Sequence, residues 1–90
     1  MANAAVITIR RRTFEPYRTP YGRHLKYGPW VKVGLADGAG HTRYGWYDVK
    51  EAHAAFFTVC AKLGGLYEYA LFFRGRRLTR GNGALKDGVL

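Results

Sequence analysis

Residues 48–65 read DVKEAHAAFFTVCAKLGG, and their pattern decides the fold. Asp48 carries the short oxygen-bearing side chain that satisfies free N–H groups at a helix start. Glu51, three residues on, completes a capping-box pattern. Ala52, Phe56, Val59, Cys60 and Leu63 then recur at helical spacing and make one apolar stripe. Gly64-Gly65 accepts the left-handed backbone that stops a helix. A helix with a single apolar stripe must bury it against another layer. Phe57 falls off the stripe, next to His53 and Ala61, so it is either covered by a final strand or exposed as a contact.

The flanking segments supply the second layer. After the helix, residues 66–74 alternate as a strand, with Leu66, Ala70 and Phe72 opposite Tyr67, Tyr69, Leu71 and Phe73. Arg74-Gly75-Arg76 predicts a tight turn into a short strand around Leu78, and residues 81–90 read as a loosely ordered tail. Before the helix, residues 30–35 alternate Val31, Val33 and Leu35 against Trp30 and Lys32. The Asp37-Gly38-Ala39-Gly40 turn then returns the chain antiparallel over residues 42–47. Residues 15–29 hold all three prolines (Pro16, Pro20, Pro29) with Gly22 and Gly28, which predicts an irregular connection containing Tyr17, Tyr21 and Tyr27. Residues 5–9 form a β-rich first strand running into Arg10-Arg11-Arg12. The expected order is β–β–β–α–β: an α+β domain over residues 1–80, with an antiparallel sheet of three to five strands and one helix packed on one face.

Ninety residues allow one domain with a modest core. At 48% hydrophobic and 16% aromatic, the composition is that of a folded chain rather than a disordered one. No apolar run approaches the ~20 residues of a membrane span. Met1-Ala2-Asn3-Ala4-Ala5 lacks the features of a signal peptide. The single cysteine, Cys60, has no internal disulfide partner, and together these features point to a reducing cytoplasm.

Nothing in the chain assembles a reaction. Asp48 and Glu51 are explained as a cap and Asp37 as a turn residue, while Glu15 and Glu68 have no visible partner. His24, His41 and His53 with Cys60 match no familiar ligand spacing, and the glycines form no phosphate-binding fingerprint. Cys60 lies on the apolar stripe, where a thiol behaves as a small hydrophobe. The expectation is a binding protein, with no enzyme activity, cofactor or metal.

Charge points to the partner. Fifteen Lys and Arg against six Asp and Glu give +9. The positive charge is segregated: it falls on residues 10–43 and 74–86, while residues 44–73 are near neutral. Three basic clusters follow. Arg10, Arg11 and Arg12 end the first strand, where guanidinium groups suit phosphates or guard a strand edge. Trp30, Lys32, Arg43, Tyr44, Trp46 and Tyr47 mix cations with aromatics able to stack on bases. At least one tryptophan is expected on the binding face. Arg74, Arg76, Arg77 and Arg80 form a basic hairpin that serves as an arm or a plain charged turn.

Several pieces of residues 21–73 resemble the plant ethylene-response-factor type of DNA-binding domain. They are Tyr21-Gly22-Arg23, Pro29-Trp30-Val31-Lys32, Tyr47-Asp48, Glu51-Ala52-His53-Ala54-Ala55 and Lys62-Leu63-Gly64-Gly65. The resemblance implies a three-stranded sheet on one helix, and Arg23, Lys26, Trp30, Lys32, Arg43 and Trp46 as DNA contacts. The chain also looks like small phage accessory proteins. The expected function is docking on nucleic acid or a nucleoprotein through a basic, aromatic sheet face. The alternative is a small phage-type inhibitor or adaptor, anti-CRISPR-like or anti-defence, that binds a host protein complex.

Overall fold

The computed structural model describes residues 6–89. Ala5, expected to begin the first strand, and the rest of residues 1–4 lie outside them. The chain folds as one helix against an antiparallel sheet, the α+β class expected. Its elements are β1 (Ile7–Thr19), β2 (Gly22–Tyr27), β3 (Val31–Val33), β4 (Leu35–Ala36), β5 (Thr42–Arg43), α1 (Val49–Leu63), β6 (Tyr67–Phe73) and β7 (Arg76–Arg77). The main sheet runs β2-β1-β6-β7, with β3 also on β1.

The helix forms where the sequence places it. The Asp48 carboxylate accepts the Glu51 N–H at 3.1 Å, and Gly64, at φ 76°, donates its N–H to Cys60 O. Ala52, Ala55, Phe56 and Val59 are buried against Ile7, Ile9, Val33, Trp46, Tyr69 and Leu71. Leu63 lies at the exposed end of the expected stripe, and Phe57 is half exposed against the His53 ring.

β1 is the spine. Its first half is central, with Ile9 opposite Leu71 on β6 and Val33 on β3. Its second half leaves the body and pairs only with β2, from Phe14 opposite Tyr27 to Thr19 opposite Gly22. Residues 15–29 are therefore not the irregular connection their prolines suggest. The cost of a strand proline depends on which way its missing N–H would point. Gly28 donates its N–H to Thr13 O, so Thr13 occupies a hydrogen-bonded position in this ladder. Alternation then puts Pro16 at a non-hydrogen-bonded one, where its nitrogen faces away from β2. Pro20 sits in the turn, where a fixed φ is useful.

The third proline marks a β-bulge. Thr13 stands against Gly28 and Arg11 against Val31, so Arg12 alone opposes both Pro29 and Trp30. A Cβ on Gly28 would lie 2.3 Å from Thr13 Oγ1, which explains glycine at the approach to the bulge.

The expected hairpin of residues 30–35 and 42–47 is also divided. Val31–Val33 joins β1, and only Leu35–Ala36 pairs with Thr42–Arg43. The turn between them is held by Asp37 Oδ1, which accepts N–H groups from Ala39 and His41. Trp46 bridges back to Ile7 through two backbone hydrogen bonds of 2.7 and 2.9 Å.

At the other end, β6 and β7 meet at Arg74-Gly75, both at positive φ, as a two-residue hairpin turn of the mirror-image kind requires. Residues 81–89, expected to be loose, are tied to the body. Lys86 N–H reaches Leu78 O, Arg80 N–H reaches Ala84 O, and His53 Nε2 lies 2.8 Å from Gly83 O. Buried Thr79 uses its hydroxyl to accept the Leu71 N–H. Among the described residues no helix is long and apolar enough to cross a membrane.

Candidate nucleic-acid interface

Strand alternation sorts the basic residues. Odd positions of β1 carry Ile7 and Ile9 onto the helix, and even positions point to the opposite, helix-free face. Arg10 and Arg12 therefore share that face, and Arg11 goes to the helix side, where its guanidinium lies 4.4 Å from the Tyr67 ring centroid.

At the centre of the helix-free face stands Glu68, directly across from Arg12. Its carboxylate accepts Arg12 Nε–H at 2.9 Å and lies 2.9 Å from Arg77 Nη2, a contact of charge rather than an aligned hydrogen bond. Burial opposes the Glu68 charge, yet Arg12 and Arg77 outweigh it and hold the carboxyl below its usual range. The Arg12 guanidinium is sandwiched, 3.7 Å from the Tyr27 centroid and 4.4 Å from that of Trp30. Trp30 in turn packs edge-on against Phe72, with Arg77 over its ring. The bulge aims Trp30 this way. It covers the sheet so well that Phe72 and Ala70 are buried without a second layer of secondary structure. Arg12 and Arg77 are thus spent on the fold.

Other cations on the same face are not. Arg10 stands directly opposite Lys32, and Arg18 directly opposite Arg23. Like charges facing each other across strands are destabilising. Among the described residues, none of these four makes an ion pair. Arg10 only donates to Thr8 Oγ1 and lies over Phe72. Eight residues of strand separate the two pairs, about 27 Å at strand rise. Between them the face presents Phe14, Pro16, Leu25 and Tyr27, all exposed. The opposite face of the same ribbon is charge-balanced, Glu15 facing Lys26.

Of the residues expected at the interface, Arg10, Arg12, Arg23, Trp30, Lys32 and Arg77 converge on this face. Arg11 and Lys26 point the other way. Trp46, only 2% exposed, belongs to the core, so the contact role implied for it falls away and Trp30 is the tryptophan left at the surface. Arg43 donates to Gly45 O and stands opposite Leu35 in the β4–β5 pair, whose β4 packs on the helix, and exposed Tyr44 follows it directly. Arg74 lies in the β6–β7 turn and Arg76 directly follows it, and Arg80 pairs with Asp87 at 2.9 Å. Arg18 was not among the expected contacts. The signal for it was Thr19-Pro20-Tyr21-Gly22, a turn sequence that makes Arg18 and Arg23 cross-strand neighbours.

Among the described residues no three His, Cys, Asp or Glu side chains come together as a metal set, and burial pushes the Cys60 thiol upward, away from the reactive thiolate. The chain matches no known family model, no curated protein and no solved structure.

Proposed function

We propose that this protein is a non-enzymatic binding protein of the cytoplasm that docks on nucleic acid, free or in a nucleoprotein, through the helix-free face of its sheet. The observation that carries this reading is the two unneutralised like-charge pairs, Arg10–Lys32 and Arg18–Arg23, on one side of one strand. A fold keeps such pairs at a cost unless an anion repeatedly offsets them. Four cations spaced along about 27 Å suit a polymer of phosphates better than a single small anion. Exposed Phe14 and Tyr27 between the pairs offer apolar and stacking surface to bases.

Anisotropy of labelled single- and double-stranded DNA and RNA tests it. Four neutralised phosphates give a log–log salt slope near −3.6 on a duplex, so affinity falls roughly 100-fold between 50 and 200 mM salt. Absence of binding at 50 mM overturns the reading. Capture of a protein complex with little salt dependence would favour the inhibitor or adaptor instead.

A further inference from the structure

The arm of residues 14–27 ends in an apex whose construction the phosphate contacts do not explain. β2 packs substantially against β1 alone, so the ribbon stands clear of the body for about 20 Å. The radius of gyration of 14.8 Å exceeds the roughly 12 Å of a compact chain of this length, as a projecting arm requires. At its tip are Pro20 and Tyr21, and Tyr21 is 93% exposed, the most of any large hydrophobic side chain described. The tip is nevertheless well defined. Pro20 fixes its own φ. Thr19 Oγ1 accepts the Tyr21 N–H at 3.2 Å and donates to Gly22 O at 3.4 Å. Gly22, at φ 128°, completes the reversal in a conformation side chains rarely adopt. Directly behind this apex stand Arg18 and Arg23, one on each strand.

Resting on the nucleic-acid reading, we infer that the arm is a wedge for duplex DNA: its Pro20–Tyr21 tip enters the minor groove and unstacks a base step. Rigid apolar apices inserted from the minor groove act this way, proline among them. The arginine pair supplies the other half of the geometry. Arg18 and Arg23 face each other across the two strands, and on this reading each meets the phosphates of one wall of a narrow groove. A single strand offers one row of phosphates, and the minor groove of A-form RNA is wide and shallow.

The test uses the whole protein and a DNA duplex carrying 2-aminopurine, whose fluorescence is quenched by stacking. Wild type is expected to raise that fluorescence several-fold at one position on saturation, and prior loading of an A·T-rich duplex with netropsin is expected to block the rise. The double variant Pro20→Ser/Tyr21→Ala is expected to bind the same duplex by anisotropy within about tenfold of wild type, as its phosphate contacts are intact, and to give no rise. Duplex binding without a rise at any probe position overturns the wedge and leaves the nucleic-acid reading standing. A rise that survives the double variant, or that netropsin does not block, also overturns it. Failure to bind any nucleic acid removes both.

Discussion

Glu68 and Lys32 differ in what their charge meets within the fold: Glu68 is paired with two arginines, and Lys32 stands opposite a like charge. Glu68 holds Arg12 and Arg77 from the centre of the sheet, and its carboxyl sits below the ordinary range because those charges outweigh burial. A depressed carboxyl stabilises the fold above its unfolded value of about 4.3, and that contribution is lost as pH falls through the lower folded value. Glu68→Gln is therefore expected to cost about 1.5–3 kcal/mol at pH 7 in urea unfolding, the range for hydrogen bonds to charged groups. The gap to wild type should close as both are taken to pH 2–3. A gap that persists there would place the Glu68 contribution in packing rather than charge. Lys32 behaves oppositely. Lys32→Glu turns a repulsive pair with Arg10 into an attractive one. It is expected to raise stability by up to about 1 kcal/mol while weakening nucleic-acid binding, reducing the salt slope by about 0.9 or more. Loss of both together would make Lys32 a structural residue.

At the level of elements, the arm and the body differ in what supports them. β1 is central up to Thr13 and half of a two-stranded ribbon beyond it. A two-stranded ribbon whose apolar side chains stay exposed is marginal alone. Hydrogen exchange followed by NMR is expected to show amides of residues 15–27 at least ~100-fold less protected than those of Ile9 and Leu71. Uniform protection along β1 would contradict the division. The same boundary separates what was legible in the sequence from what was not. The helix could be read because Asp48, the stripe and Gly64 act locally and agree. The arm was hidden because Pro16 and Pro20 resemble strand breakers, and only the register with β2 shows that neither interrupts a hydrogen bond. Trp46 was ambiguous because its partner, Ile7, lies at the far end of the chain. Glu68 looked partnerless because Arg12 is 56 residues away.

As a whole, the molecule keeps its helix and core on one side of the sheet and a spaced row of unpaired cations on the other. The net charge of +9 alone would permit diffuse attraction to any polyanion. On the proposed reading, Arg10, Lys32, Arg18 and Arg23 carry most of the electrostatic binding, while Lys50 and Lys62, on the helix, carry little. The most direct test is the salt dependence of duplex DNA affinity, by anisotropy, for wild type and for the variant with those four residues changed to alanine. A control variant with Lys50 and Lys62 changed to alanine sets the effect of net charge. The expected result is a wild-type slope near −3.6, nearly abolished in the fourfold variant and nearly unchanged in the control. Equal slopes in all three, or no wild-type binding at low salt, would contradict the account.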